Sequence, residues 1–198
     1  MNAERFELRN ARYLAADYLS RLVFPGDTVI DATMGNGGDT LMLCRYVGPT
    51  GKVYAFDVQR AALDSTRQKL CEAQMANRAE LILAGHETMD TAVHVPVQAV
   101  IFNLGWLPGG DHTVTTRTET TIEAISKAVK MIVPGGAVSI CVYPGHEEGK
   151  RELEAVETLI RSLSVKEYTT LQHVFLNAHE GTPRYYLIQK NRNGRGEK

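Results

Sequence analysis

The chain has 198 residues, of which 43% are hydrophobic, and its formal net charge is −1. This length and composition exclude a disordered chain and predict one globular domain, which we place at residues 1–190, followed by a polar tail at residues 191–198. A net charge this close to zero neither requires nor excludes a nucleic-acid partner, so any affinity for RNA must come from a local cluster of cations.

The sequence carries no signal for a membrane or for export. No apolar run approaches the roughly 18 residues of a spanning helix, and the N-terminus lacks a signal-peptide pattern. The three cysteines, Cys44, Cys71 and Cys141, are widely spaced, which fits a reducing compartment and offers no zinc-binding spacing. We therefore expect a cytoplasmic protein without a membrane partner or a metal.

Hydrophobic periodicity predicts that helices and strands alternate along the chain. The predicted helices span residues 10–22, 38–47, 59–75, 118–133 and 147–163, and the predicted strands span residues 28–30, 53–57, 80–84, 97–103, 137–143, 165–176 and 184–190. This order is typical of an α/β fold. We expect a Rossmann-like, doubly wound, mostly parallel sheet of seven strands with an antiparallel closing strand.

A glycine-rich segment connects the first predicted strand to the helix that follows. Residues 31–40 read Asp-Ala-Thr-Met-Gly-Asn-Gly-Gly-Asp-Thr. Glycines let the backbone approach a ligand, and a helix N-terminus offers unpaired N–H groups. Asp57 ends the next strand 20 residues after Gly37, the spacing at which an acid binds ribose hydroxyls. The pattern predicts a nucleotide-type cofactor, and the plain alternative is a tight turn after a strand.

This segment differs from a dinucleotide motif, because Thr40 stands where G-x-G-x-x-G requires its third glycine. It resembles motif I of class I S-adenosyl-L-methionine (SAM) methyltransferases, D/E-x-G-x-G-x-G, with Thr33 in place of the first glycine and with Gly35 and Gly37 retained. SAM has no pyrophosphate, and its amino acid end carries a carboxylate for the helix N-terminus and an ammonium for an acid such as Asp31. We therefore predict SAM as the cofactor.

The loop after the fourth strand points to the methyl acceptor, since ligands lie at the carboxyl ends of parallel strands. Residues 103–106, Asn-Leu-Gly-Trp, resemble the N/D-P-P-aromatic loop of amino-methylating enzymes at Asn103 and Trp106 but lack its prolines. In that loop the asparagine oxygen and a backbone carbonyl hold the target nitrogen, and the ring stacks on a base. The plain alternative is a glycine-rich loop with a partly buried tryptophan.

Nearly the whole chain resembles the small bacterial proteins described as "putative rRNA methylases", members of which are transfer-RNA methyltransferases. The resemblance rests on residues 31–40, on Gly85-His86-Glu87, on residues 103–111, and on Tyr143-Pro144-Gly145-His146. It implies methyl transfer to the amine of 5-aminomethyluridine, often 2-thiolated, at the wobble position in the anticodon stem-loop of tRNA. Trp106 stands where the family more often has tyrosine. Without this resemblance, the residues predict only a SAM-dependent methyltransferase that acts on nitrogen.

These arguments give a set of candidate site residues. The predicted cofactor-binding residues are Asp31, Thr33, Gly35, Asn36, Gly37, Asp39, Thr40, Asp57, Gln59, His86, Glu87 and Asn103. The predicted catalytic residues are Asn103, Trp106, His146 and Asp111. For the proton acceptor we favour His146 over Asp111, His112 and Glu87, because it follows the fifth strand directly.

RNA contacts are expected from Arg5, Arg9 and Arg12, which recur at i, i+4 and i+7. They form one stripe outside the motif loops if the first helix extends that far back. The plain alternative for such a stripe is a solvated helix face.

Other functions remain open at this point. One is a SAM-dependent methyltransferase that acts on rRNA or on a small-molecule amine, and another is a non-catalytic SAM-binding module. Ribose 2′-O-methylation is disfavoured because its usual catalytic lysine and aspartate are not apparent. Cysteine-dependent carbon methylation is disfavoured because Cys141 lies in an apolar strand, where a buried thiol is the default. The oligomeric state stays open, with a homodimer as one alternative.

Overall fold

Seven strands form one mixed sheet in the computed structural model of the chain, which describes residues 9–107, 109 and 114–192. The strands are β1 (Thr28–Asp31), β2 (Lys52–Asp57), β3 (Ala79–Leu83), β4 (Val97–Asn103), β5 (Ile132–Val142), β6 (Tyr168–His173) and β7 (Arg184–Lys190). Their order across the sheet is β3-β2-β1-β4-β5-β7-β6. Strands β1 to β5 run parallel, and β7 pairs antiparallel with both β5 and β6. The predicted fold class is thereby confirmed.

Helices cover both faces of this sheet. They are α1 (Ala11–Leu22), α2 (Gly38–Val47), α3 (Arg60–Glu72), α4 (Met89–Ala92), α5 (Thr118–Met131) and α6 (Glu147–Ser162), with single 3₁₀ turns at Ala76–Arg78 and His86–Thr88. From β1 the chain passes to β2 on one side and later to β4 on the other. The resulting crevice at the carboxyl ends of β1 and β4 is where a doubly wound sheet binds its ligand. Within the described ranges, no helix is long and apolar enough to cross a membrane.

Two apolar clusters fix the sheet between its helix layers. Ile30, Phe102 and Ile140 belong to the cluster that includes residues of α5 and α6. Val29 and Ile101, which precede Ile30 and Phe102 along the strands, belong to the cluster that includes residues of α1, α2 and α3. Because the central strands are buried on both faces, their sequences read as nearly continuous apolar runs.

Several element boundaries differ from the sequence-based prediction. Strand β5 begins at Ile132, so Pro134-Gly135-Gly136, predicted as a break, lies inside the strand, where the pairing with β4 shifts register between Val97 and Ala99. Helix α3 ends at Glu72 because Gln74 adopts a φ of 56°, outside the helical region. The helical turns at residues 86–92 were not predicted. Directly after β7, Asn191 donates to the carbonyls of Val165 and Lys166, so this first residue of the predicted tail is held against the segment before β6.

Candidate active site

A cavity of about 930 Å³ opens at the carboxyl ends of β1, β2 and β4. Its volume lies in the range of small-molecule sites. Nine of the predicted cofactor residues line it: Thr33, Gly35, Asn36, Asp39, Gln59 and Asp57 beside the glycine loop and β2, His86 and Glu87 after β3, and Asn103 at the end of β4. The predicted catalytic residues Asn103, Trp106 and His146 line it as well. Asp111 and His112 lie outside the described residues.

The glycine loop is shaped by its contact with α3. Gly37 has a φ of 73°, and a Cβ there would lie 2.6 Å from Thr66 Oγ1 and 2.8 Å from Thr66 Cα. Thr66 Oγ1 also donates to the Gly35 carbonyl at 2.9 Å. Only glycine gives both this backbone conformation and this close approach. Gly37 therefore supports the loop against α3, and it does not line the cavity.

Asp57 holds the loop from the cavity side. Its carboxylate accepts from the Gly35 N–H at 3.1 Å and from the Gln59 N–H at 2.9 Å. Each carboxylate oxygen has room for a second donor, so Asp57 can also receive the hydroxyls of a ribose. Phe56 and Val58 flank it on the cavity wall, and Val58 is 62% exposed, which leaves an apolar surface for a base.

Asp31 stands behind the loop rather than in the cavity wall. It is fully buried, and its carboxylate accepts from Thr40 Oγ1 at 2.6 Å and from the Thr33 N–H at 3.2 Å. Burial, together with the nearby charge of Asp39, raises the pKa of Asp31 from 3.8 to about 7. Asp31 and Thr40 thus tie β1 to α2 and keep the loop in place, and neither side chain lines the cavity.

Asn103 has one end of its side chain paired and the other unpaired. Its backbone N–H donates to Thr33 Oγ1 at 2.8 Å, and its side-chain Nδ2 donates to Asp39 Oδ2 at 2.7 Å. Its Oδ1 is buried and has no hydrogen-bond partner among the described residues. An unpaired buried acceptor costs about 1–3 kcal/mol, so the oxygen is suited to an N–H donor from a ligand.

Arg12 belongs to the cavity, which corrects the sequence-based expectation. Helix α1 begins at Ala11, with Asn10 as its N-cap, so Arg9 and Arg12 do not share a helix face. The Arg12 guanidinium donates to Asp39 through Nε at 2.9 Å and Nη2 at 2.7 Å. The guanidinium of Arg9 lies 4.8 Å from the centre of the Tyr13 ring. The predicted stripe is therefore wrong for these two residues, and Arg5 lies outside the described residues.

His86 and Glu87 close the cavity after β3. His86 is buried, its Nδ1 lies 3.3 Å from the Ala32 carbonyl oxygen, and its ring meets the Phe102 ring edge-on. Burial lowers the pKa of His86, so the imidazole is neutral at pH 7. The Glu87 carbonyl accepts from Lys127 Nζ at 2.5 Å, which ties this turn to α5.

The loop after β4 is pinned by a buried carboxylate that sequence reasoning missed. The Gly105 N–H donates to Thr116 Oγ1 at 2.8 Å, and Thr116 Oγ1 donates to Glu152 Oε2 at 2.9 Å. Glu152 also accepts from Thr121 Oγ1 at 2.6 Å, and burial raises its pKa. The only sequence signal was an acid on the apolar face of α6, in line with Val156. Glu152 thereby holds Thr116 next to the antiparallel bridge between Trp106 and Thr115.

Trp106 and His146 lie together at the cavity wall. Their ring centroids are 4.5 Å apart, and His146 occupies the N-cap position of α6 directly after β5. Both ring nitrogens of His146 are buried and, within the described part of the chain, have no hydrogen-bond partner. An unpaired ring nitrogen is available for a hydrogen bond with a bound ligand. The described residues contain no cluster of three or more potential metal ligands.

The raised pKa of Asp31 predicts a pH-dependent stability. Between pH 3.8 and about 7 the folded protein holds a proton that the unfolded chain has released, so stability falls as pH rises through this window. Asp31→Asn has no ionisable group at this position. Its melting temperature, measured by thermal unfolding from pH 4 to pH 7.5, should therefore decline less than that of the wild type. The exposed Asp64 provides the control, because Asp64→Asn should keep the wild-type slope; a wild-type slope in Asp31→Asn would contradict the assignment.

Comparison with known proteins places the chain in a family. Residues 53–189 match the model of the family described as "Putative rRNA methylase". The chain is 37% identical over 182 residues to the chloroplastic tRNA (mnm(5)s(2)U34)-methyltransferase of Arabidopsis thaliana, a match that covers 87% of this chain and 66% of that protein. The chain thus spans slightly less than two thirds of this relative's length.

Solved structures show the same fold. A protein described as a putative rRNA methylase from Clostridium thermocellum has a TM-score of 0.91 and 39% identity, covering 93% of this chain and 100% of that one. A putative methyltransferase from Streptococcus mutans, solved in complex with SAH, has a TM-score of 0.85 and 36% identity, covering 93% of this chain and 99% of that one. These relatives support SAM as the cofactor and a SAM-dependent methyltransferase as the enzyme class. With most of its length matched by the family model, the chain belongs to the putative rRNA methylase family.

Proposed function

We propose that this protein is a SAM-dependent tRNA methyltransferase that methylates the amine of 5-aminomethyl(-2-thio)uridine at the wobble position. The observation that carries the proposal is the buried Oδ1 of Asn103, which has no hydrogen-bond partner among the described residues and belongs to the same cavity wall as Trp106 and His146. The tRNA substrate named for the Arabidopsis relative supports the choice of RNA and of nucleoside.

The residues of the cavity fit SAM. Asp57 has acceptor capacity left for ribose hydroxyls, and Val58 offers an apolar surface for the base. The loop at Gly35 brings the backbone close to the cavity, next to the first turn of α2. When bound, SAM supplies an electrophilic methyl group.

The acceptor amine has to be neutral to react. A primary alkylamine has a pKa near that of lysine, so only about one molecule in two thousand is neutral at pH 7. A partly dry cavity disfavours the ammonium form. The Oδ1 of Asn103 accepts one N–H of the amine and thereby turns its lone pair into the cavity. As the nitrogen–carbon bond forms and the methyl–sulfur bond breaks, the thioether product leaves and the nitrogen gives up one proton. The acceptor that we propose for this proton is His146, whose buried ring nitrogens have no hydrogen-bond partner among the described residues.

Trp106 supplies a surface for the uracil ring. It is 36% exposed and lies at the cavity wall against His146. Stacking of a base on an aromatic side chain contributes about 1–3 kcal/mol. Thr116 and Glu152 hold the backbone at Gly105, directly before Trp106, so the ring is carried on a fixed backbone segment. We further propose that Arg5 and Arg9 contact the anticodon stem-loop of the tRNA. The reaction is proposed to take place in the cytoplasm.

The cofactor assignment is tested at Asp57. Asp57→Ala removes the hydrogen bonds to the ribose and to the glycine loop, so we expect SAM affinity to fall by roughly 1.5–3 kcal/mol in calorimetry. Asp64→Ala, on the exposed side of α3, serves as the matched control and should bind SAM like the wild type. Unchanged SAM affinity in a folded Asp57→Ala protein would remove Asp57 from the site.

The role of Asn103 is tested by separating binding from turnover. Asn103→Ala loses the contact with the acceptor amine, so it should retain SAM binding while its turnover on aminomethyluridine tRNA falls at least tenfold. Asn77→Ala, at an exposed turn, is the control that should keep both. Wild-type turnover in Asn103→Ala would mean that another group holds the amine.

The substrate class is tested with free nucleoside, anticodon stem-loop and whole tRNA, each containing the aminomethyl group. We expect efficiency to rise in that order, because phosphate contacts position the RNA while the base specifies it. Equal efficiency on all three would favour the small-molecule amine, and methylation of rRNA alone would favour the family description. Nucleoside mass spectrometry of tRNA from a deletion strain, with purified protein and SAM added back, identifies the natural product.

The stacking role predicts a graded effect at position 106. Trp106→Tyr keeps an aromatic face and should bind the anticodon stem-loop nearly as well as the wild type. Trp106→Ala should weaken RNA binding by at least fivefold in a fluorescence titration, with SAM affinity unchanged. Equal RNA affinity in both variants would exclude stacking at this residue.

A further inference from the structure

We propose that the ion pair between Arg12 and Asp39 is a positioning device that turns the Asn103 amide so that its oxygen faces the acceptor amine. The proposal rests on the function proposed above. Three separate elements meet in this contact: α1 carries Arg12, the first turn of α2 carries Asp39, and Asn103 ends β4.

Asp39 selects which end of the amide enters the cavity. The two ends of an asparagine side chain have nearly the same shape, but one only accepts and the other only donates hydrogen bonds. An ionised carboxylate only accepts, so Asp39 Oδ2 binds the Nδ2 end at 2.7 Å. The backbone of Asn103 is held by Thr33 Oγ1 at 2.8 Å, which leaves rotation of the amide as the remaining freedom. The Oδ1 end is therefore the one left without a partner among the described residues.

The direction of the amide matters for the chemistry of an amine acceptor. With Oδ1 toward the cavity, the amide accepts an N–H of the amine and leaves the lone pair free. With Nδ2 toward the cavity, the amide would donate to that same lone pair and compete with methyl transfer. A nitrogen acceptor thus needs the orientation that Asp39 imposes.

Arg12 holds the Asp39 carboxylate in place and balances its charge. Two guanidinium N–H groups donate to the Asp39 carboxylate, at 2.9 and 2.7 Å, and the Asp39 side chain is only 15% exposed. Without Arg12, the carboxylate would be unbalanced beside the acceptor amine and would stabilise its unreactive ammonium form. Arg12 therefore has two effects on the acceptor amine. It fixes Asp39, which orients the Asn103 amide, and it balances the negative charge of Asp39 in the cavity.

Other titratable groups surround Asp39 without replacing Arg12. They are Asp31 on β1, Tyr46 on α2, Cys141 on β5 and Tyr143 directly after β5. Burial raises the pKa of Asp31 to about 7 and those of Cys141 and Tyr143 to about 12, and it raises that of Tyr46. None of these groups supplies a positive charge.

The kinetic test replaces Arg12 and a matched arginine of the same helix. Arg12→Gln should lower kcat at pH 7 at least tenfold, leave KM for tRNA and the Kd for SAM within threefold, and shift the pH–rate profile to higher pH. Arg12→Lys keeps the charge and should recover part of kcat. Arg21→Gln, which breaks the Arg21–Asp17 pair on the exposed side of α1, should behave like the wild type.

Two kinetic results would overturn the proposal. Loss of SAM binding in Arg12→Gln would make Arg12 a cofactor ligand instead. A pH–rate profile identical to that of the wild type would show that the ion pair does not balance the charge of the cavity.

A second measurement is independent of turnover. The side-chain amide signals of Asn103 in ¹⁵N-labelled protein are identified by their absence in Asn103→Ala. In the wild type, the Asn103 Nδ2 proton that is donated to Asp39 should resonate downfield and exchange slowly with water. Asp39→Ala should abolish both properties. Identical Asn103 signals in the wild type and in folded Asp39→Ala would overturn the proposal. Failure of the wild type to methylate aminomethyluridine tRNA would instead overturn the proposed function. The spectra would still test whether Asp39 sets the orientation of the Asn103 amide.

Discussion

The close packing of α3 on the glycine loop is the constraint on which the rest of the site depends. A side chain at Gly37 would collide with Thr66, so the loop keeps its course only with glycine at this position. That course brings the Gly35 N–H onto Asp57 and starts α2 directly after the loop. Asp39, in the first turn of α2, is thereby carried to Asn103 at the end of β4.

Much of the fold was predictable from the sequence because its signals are local. Strands buried on both faces produce apolar runs, and the spacing of Asp57 from Gly37 follows from adjacent parallel strands. The contacts of Arg12 and Glu152 were not predictable, because each depends on a residue far along the chain. Arg12 has the spacing of a surface stripe, and its partner Asp39 lies 27 residues away. Asp31 was expected to face the cofactor, but the direction of its side chain depends on how α2 packs over β1.

Four of the carboxylates in and around the cavity are stabilised in different ways, and each way suits a different role. Asp31 is fully buried and accepts from Thr40, which suits a link between β1 and α2. Asp57 accepts two backbone N–H groups and keeps acceptor capacity for a ligand. Glu152 is held by two threonine hydroxyls and anchors the loop of the acceptor side. Asp39 is balanced by a guanidinium.

The balance at Asp39 matters most for the proposed chemistry, because the acceptor and the cofactor place opposite demands on charge. Unbalanced negative charge would attract a sulfonium, but it would also hold the acceptor amine as an ammonium without a lone pair. At one end of the cavity lies the Asp57 carboxylate, which accepts from two backbone N–H groups. At the other end, Asn103 presents a neutral amide oxygen. The side of the cavity that bears Asn103 can thus recognise an amine by hydrogen bonding alone, without stabilising the protonated form that cannot react.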